Sequence, residues 1–92
     1  MEKIKVILVD DHAVVRAGYK ILLSNIENIS VVAETNTGEE AITLSGKHNP
    51  DVIVMDLSLP GMSGIEAIRT IVKDNNDISV LFWGSMSLFI FF

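Results

Sequence analysis

Short apolar runs alternate along the chain with longer segments in which apolar residues recur every three or four positions. The runs are IKVILV, ISVVAE, PDVIVMD and ISVLF, which begin at Ile4, Ile29, Pro50 and Ile78. Largely apolar runs rich in β-branched residues are typical of strands that are buried on both faces of a parallel sheet. The segments between them have the period of amphipathic helices. The pattern therefore predicts the order β-α-β-α-β-α-β.

Residues at the starts of the predicted helices support this order. Asp11 lies at the N-cap position of the first helix. Thr37 with Glu40, and Ser63 with Glu66, have the spacing of a capping box and predict the starts of the second and third helices. The first helix carries a stripe at helical spacing: Val14, Gly18, Ile21 and Leu22.

This alternation predicts an α/β protein with a doubly wound parallel sheet between two layers of helices. A length of 92 residues allows a single domain. The absence of cysteine excludes disulfides and thiolate metal sites. The apolar run at the start is too short for a signal peptide, which predicts a cytoplasmic protein. A net charge of −5 with scattered basic residues disfavours nucleic acid as a direct partner.

Three carboxylates lie at the ends of predicted strands. Asp10 and Asp11 follow the first strand, and Asp56 ends the third. Ligand sites of open α/β sheets lie beyond the carboxyl ends of the strands, so these side chains converge if the two strands are neighbours. Clustered carboxylates repel one another and require a cation. Oxygen ligands favour a hard ion, and Mg²⁺ is the expected one.

A carboxylate beside Mg²⁺ can act as a nucleophile toward a phosphoryl group. Asp56 is the better acceptor because a loop follows it and leaves room for the donor. Asp11 is expected to hold the metal directly, Asp10 directly or through water, and the Ser58 carbonyl is a further candidate ligand. His12 is expected to be a surface residue of the first helical turn. His48 has no partner at metal-ligand spacing.

Three stretches resemble the receiver domain of two-component response regulators: ILVDDHAVVRAG, GEEAI and PDVIVMDLSLPGMSGIEAI. VDDHAVVRAG most resembles the LuxR/NarL-type subfamily, and the resemblance extends from Lys3 to about Phe82. It implies a flavodoxin-like sheet, for which a receiver protein is itself a standard example. By this resemblance Asp56 is the phosphoacceptor, Asp10 and Asp11 are the acidic pair of the Mg²⁺ site, and Ser58 gives the metal a backbone carbonyl.

The resemblance also implies partners. In the family a sensor histidine kinase supplies the phosphoryl group, and phosphorylation controls an output domain that is usually a DNA-binding helix-turn-helix. A phosphoacceptor switch of this kind is not a conventional enzyme, although slow self-phosphorylation and dephosphorylation belong to its chemistry. Direct binding of nucleic acid or membrane by this chain is not expected, and a homodimer is left open.

The chain departs from the family pattern after the fourth predicted strand. The position of the family's Ser or Thr falls on Gly84, with Ser85 next to it as an alternative, and no Lys follows Lys73. We therefore expect an incomplete receiver over residues 1–82, with four of five strands and without the family Lys or an output domain. Residues 83–92 form a non-matching apolar tail, shorter than the roughly 20 residues of a membrane span.

The sequence is also compatible with two other interpretations. The missing elements are also expected of a non-signalling fragment from a truncated or frameshifted gene, which would act at most as an interaction module. A metal-dependent phosphohydrolase with an Asp nucleophile is disfavoured. Such enzymes commonly place a general acid two residues after the nucleophile, and here that position is Ser58.

Overall fold

The computed structural model describes residues 3–56, 64–75, 77–83 and 88–91. Within these ranges the helices lie where the sequence pattern predicts them, and the strand bounds differ from the predicted ones by at most two residues. The elements are β1 (Ile4–Val9), α1 (Ala13–Ser24), β2 (Ile29–Thr35), α2 (Gly38–His48), β3 (Val52–Asp56), α3 (Gly64–Asp74), β4 (Ser79–Trp83) and β5 (Leu88–Phe91).

The strands form one sheet in the order β2-β1-β3-β4-β5. β1 pairs in parallel with both β2 and β3, and β3 pairs in parallel with β4, which confirms the predicted doubly wound sheet. The chain adds β2 on one side of β1 and β3 on the other, so the order changes direction between β1 and β3. Ligands of such sheets bind at this switch point.

β5 is a strand that the sequence pattern did not predict. It runs antiparallel to β4, with Val80 opposite Phe91 and Trp83 opposite Leu88. Part of the predicted apolar tail therefore extends the sheet beyond its four parallel strands. The physical reason is that the outer edge of β4 carries backbone N–H and C=O groups, and pairing with the apolar segment satisfies them.

Alternate residues of β1 point into two separate cores, as expected for a strand covered on both faces. Ile7 and Val9 belong to a core that includes Ala41 of α2 and Ala67 of α3. Val6 and Leu8, on the other face, contact Tyr19 and Leu23 of α1. The molecule thus has three layers, with the sheet in the middle. None of the helices in the described ranges is long and apolar enough to cross a membrane.

The helix caps agree only partly with the sequence predictions. Thr37 is the N-cap of α2, and its side chain accepts the Glu40 N–H at 3.1 Å. The prediction that Asp11 caps α1 was wrong, because His12 is the N-cap and makes no side-chain cap bond. The Asp10 carboxylate accepts a hydrogen bond from the His12 N–H at 2.7 Å. This bond satisfies one backbone donor at the start of the helix. Ser63 lies outside the described residues.

The stripe predicted for α1 does not face the sheet. Val14 is 86% exposed, and Ile21 and Leu22 are each 65% exposed. α1 instead contacts the sheet through Tyr19 and Leu23. Apolar periodicity alone therefore located the helix but did not identify the side that packs.

Candidate metal centre

The pairing of β1 with β3 brings the predicted acidic residues together. Val9 lies opposite Met55 in the parallel register, so the residues that follow them, Asp10 and Asp56, lie side by side. Both are buried, each with 2% of its surface exposed. One candidate ligand atom from each of Asp10, Asp11, His12 and Asp56 lies within 4.8 Å of the others. The structure thus assembles the three carboxylates, while their chemical roles stay predictions.

Asp10 is held by both its backbone and its side chain. Its N–H donates to the Thr35 carbonyl oxygen at 3.0 Å, and its Oδ1 accepts the His12 N–H. The other carboxylate oxygen, Oδ2, is buried and has no hydrogen-bond partner among the described residues. A buried polar atom without a partner costs about 1–3 kcal/mol. The Asp10 carboxylate is therefore rigidly placed but incompletely satisfied.

His12 lies among all three carboxylates. Its Nδ1 is 3.2 Å from Asp10 Oδ1, 3.1 Å from Asp11 Oδ1 and 3.4 Å from Asp56 Oδ2. The hydrogen bond with Asp10, and then the charge of Asp11, raise the pKa of His12 above its ordinary value of 6.5. His12 was predicted to be a surface residue, and its side chain is indeed 59% exposed. Its ring nitrogen nevertheless belongs to the acidic cluster.

Arg16 connects the cluster to the neighbouring strand. Its Nη1 donates to the Asp10 carbonyl oxygen at 2.6 Å, and its Nε donates to Glu34 Oε1 at 3.1 Å. Lys20, one turn later, lies 3.0 Å from Glu34 Oε2. The hydrogen bond from Lys20 is the main cause that lowers the pKa of Glu34 from its ordinary value of 4.5. Together these side chains fix the backbone at the end of β1 relative to α1 and β2.

Arg16 and Lys20 are two of the basic residues that lie scattered along the sequence. Their spacing of four residues could have indicated that they act together, because it places both on the same side of a helix. Glu34 near the end of the second strand was not linked to them. Only the packing of α1 beside β2 brings these three residues together.

Gly64 sets the distance between α3 and the end of β3. A Cβ atom at this position would lie 3.1 Å from the Asp56 carbonyl oxygen and 3.2 Å from Met55 Sδ. These separations are shorter than ordinary van der Waals contacts between such atoms. The absence of a side chain therefore allows α3 to begin directly against the residue predicted to accept the phosphoryl group.

The donor set fits a hard divalent cation. Three carboxylates converge on one place, and Asp10 supplies a buried oxygen without a hydrogen-bond partner. Carboxylate oxygens are the ligands that Mg²⁺ prefers in proteins. Ser58 and Ser85, predicted as a carbonyl ligand and as an alternative switch residue, lie outside the described residues, so both stay predictions.

The comparison with protein families decides what kind of domain carries this cluster. The model of the response regulator receiver domain matches residues 6–87. The chain belongs to this family. The receiver domain is 41% identical over 78 residues to the response regulator GacA of Pseudomonas aeruginosa, a match that covers 85% of this chain and 36% of GacA. It thus spans about a third of the length of the curated relatives it matches.

Solved structures support the same assignment. A LuxR-family two-component response regulator from Aurantimonas superposes with a TM-score of 0.86 at 38% identity, covering 94% of this chain and 61% of that one. The receiver domain of the putative response regulator NarL from Mycobacterium tuberculosis superposes with a TM-score of 0.86 at 32% identity, covering 95% and 70%. The receiver is therefore of the LuxR/NarL type, and the resemblance seen in the sequence is confirmed.

Proposed function

We propose that this receiver domain accepts a phosphoryl group on Asp56 from a sensor histidine kinase in the cytoplasm. The observation that carries the proposal is the position of the buried Asp56 carboxylate beside Asp10 and Asp11 at the switch point of the sheet. The match covers about a third of the length of each curated relative. We therefore propose that phosphorylation of Asp56 acts within a longer protein, whose output domain regulates transcription. DegU of Brevibacillus brevis is a relative whose name describes a transcriptional regulatory protein.

The proposed reaction transfers a phosphoryl group from a histidine nitrogen of the kinase to a carboxylate oxygen of Asp56. A carboxylate oxygen of Asp56 attacks phosphorus, an O–P bond forms, and the P–N bond of the kinase phosphohistidine breaks. The electron pair of that bond stays on the imidazole nitrogen, which then takes a proton from solvent. The product on this chain is an acyl phosphate, and no turnover of a substrate is required. We therefore propose a stoichiometric phosphoacceptor rather than a conventional enzyme.

The residues of the site have different proposed roles in this transfer. Asp56 supplies the nucleophile, and its position is set by parallel pairing of β3 with β1 and β4. Asp10 and Asp11 would hold Mg²⁺, with Asp56 and the Ser58 carbonyl as further proposed ligands. When bound, Mg²⁺ neutralises charge on the transferring phosphoryl oxygens. Arg16 keeps the Asp10 carbonyl in place and thereby orients its carboxylate.

Incubation with acetyl phosphate and Mg²⁺, followed by intact-mass measurement, tests the proposal. The expected result is a mass increase of one phosphoryl group per chain, which disappears in Asp56→Asn. Asp77→Asn is the matched control, because Asp77 is an exposed carboxylate away from the cluster. Retention of the modification in Asp56→Asn, or its absence from folded wild-type protein, would contradict the assignment.

A further inference from the structure

A cavity lies between the last turns of α2 and α3, and we call it the α2–α3 cavity. α2 ends at His48, shortly before β3 begins, and α3 ends at Asp74, shortly before β4 begins. The cavity is therefore near the amino ends of the parallel strands, whereas the acidic cluster lies at their carboxyl ends. Its volume is about 70 Å³. Since a cavity of roughly 150 Å³ holds benzene, this one holds about three non-hydrogen atoms.

The wall of the α2–α3 cavity contains a buried polar group without a partner. Ser45 lines the cavity and is 6% exposed, and its hydroxyl makes no hydrogen bond with any described residue. Serine and threonine inside helices commonly donate to the carbonyl four residues earlier, as Thr70 of α3 does to Glu66 at 3.2 Å. A buried hydroxyl that makes no hydrogen bond is unfavourable. The Ser45 hydroxyl can therefore bind a molecule that enters the cavity.

The remaining polar groups of the cavity are mostly hydrogen-bond acceptors. Among the described residues that line it, Asp74 alone carries a charge, and Asn49 and Asn75 contribute side-chain amides. The last carbonyl groups of a helix lack partners within the helix and carry partial negative charge, and two helices end here. Lys47 and Lys73 belong to the same last turns, but they are exposed and do not line the cavity. The cavity thus favours a positively charged ligand.

Two isoleucines determine which kind of cation fits. Ile42 and Ile71 line the cavity, and Ile71 is 3% exposed. A hydrated inorganic ion gains nothing from apolar walls, and one carboxylate is fewer than Ca²⁺ sites normally use. An ammonium group on a short alkyl chain matches both parts of the lining. Its three N–H donors require acceptors, and its carbon atoms gain from burial against isoleucine.

We propose that the α2–α3 cavity binds the ammonium end of a small aliphatic amine. The ammonium group donates hydrogen bonds to the Ser45 hydroxyl and the Asp74 carboxylate, while the alkyl chain lies against Ile42 and Ile71. The site shares no residue with the acidic cluster. Amine binding is therefore separate from the proposed phosphoryl transfer, and either can fail without the other.

Titration of the full 92-residue chain with n-propylammonium chloride, followed by ¹H–¹⁵N correlation spectra, tests the proposal. The backbone amide resonances of Ser45, Gly46 and Asn75 are expected to shift and to reach saturation. 1-Propanol is the control of similar size without charge, and sodium chloride is the control for ionic strength. Equal affinity for 1-propanol, or equal shifts with sodium chloride, overturns the proposal. So does the absence of a saturable shift at these residues.

Asp74→Asn is expected to weaken amine binding by about fivefold, the upper range for a solvent-exposed ion pair. Asp74 is exposed, so the substitution leaves the fold intact. Glu39→Gln is the matched control, because it removes an exposed carboxylate at the other end of α2, and it is expected to leave the affinity unchanged. Equal affinity in wild type and Asp74→Asn, or an equal loss in both variants, overturns the proposal.

Ser45→Leu tests the cavity itself. The larger side chain is expected to occupy the space of the ligand and to abolish the saturable shifts. Thermal unfolding shows whether the variant is folded. Undiminished binding to folded Ser45→Leu overturns the proposal, and if this variant does not fold, Asp74→Asn decides the question.

Discussion

Arg16 Nη1 donates a hydrogen bond of 2.6 Å to the main-chain carbonyl oxygen of Asp10. The same guanidinium donates through Nε to Glu34 Oε1, so one side chain joins α1, the end of β1 and the end of β2. Guanidinium groups suit this task because their donors are fixed in one plane. The acidic cluster is therefore positioned by a cation that does not itself lie among the carboxylates.

Arg16→Ala is expected to weaken Mg²⁺ binding and to lower the free energy of unfolding by about 1–2 kcal/mol. Both effects follow because hydrogen bonds from a charged group are lost and the Asp10 backbone is released. Calorimetric titration and urea unfolding measure them. Arg69→Ala, which removes an exposed cation from α3, serves as control. Equal Mg²⁺ affinity in wild type and Arg16→Ala would contradict the positioning role.

Gly64→Ala is expected to destabilise the domain by about 1 kcal/mol or more, because the new methyl group presses on the rigid Asp56 carbonyl. Gly46→Ala is the matched control. A Cβ at Gly46 meets no atom within 4 Å, and alanine is the better residue inside a helix, so this change is expected to stabilise. Thermal unfolding compares them, and a shift of the same sign in both variants would refute the explanation.

Asp10→Asn is expected to stabilise the metal-free chain and to remove the stabilisation that Mg²⁺ confers. The substitution takes one charge from a crowded cluster and relieves a buried carboxylate oxygen that lacks a partner. Ligands that bind only the folded state raise its stability, so the effect appears as a change in unfolding temperature with and without Mg²⁺. Asp11→Asn, at a more exposed carboxylate, is expected to change the metal-free stability less.

The ionisation of Glu34 makes the free energy of unfolding depend on pH. Its pKa is lowered in the folded state from the ordinary value of 4.5, mainly through the hydrogen bond from Lys20. Its contribution is therefore present above about pH 4.5 and is lost as the pH falls through the lowered pKa. Glu34→Gln is expected to be less stable than wild type at neutral pH, with a difference that narrows in acid. Unfolding temperatures measured across the acidic range check this, and a constant difference would disprove it.

β5 is an edge strand with the sequence LFIF, in a segment without charge from Ile78 to Phe92. An apolar edge without charge can pair with another chain, and lysine on an edge strand opposes such pairing. Ile90→Lys is therefore expected to raise the solubility limit. Thr43→Lys adds the same charge on the exposed surface of α2 and serves as control. Equal gains in both variants would show that net charge, and not the sheet edge, governs solubility.

Much of this receiver follows from its sequence. Apolar runs and helical periodicity predicted the four parallel strands and three helices, because each strand buried on both faces must be apolar nearly throughout. The acidic site was predicted on the condition that the first and third strands are neighbours, and the order of the sheet meets this condition. Asp10 and Asp56 directly follow or end strands, and parallel neighbouring strands bring their carboxyl ends to one edge of the sheet.

Tertiary structure decided the rest. The contacts of His12 with three carboxylates, and of Arg16 with Glu34, join residues whose relation depends on how α1 packs against the sheet. The exposed stripe of Val14 and Ile21 shows that periodicity does not choose the packed side. β5 forms because β4 offers an edge to pair with, a condition that exists only once the sheet is built. Local sequence patterns indicate the secondary structure that one segment favours. These features instead depend on contacts between segments that are distant in the chain.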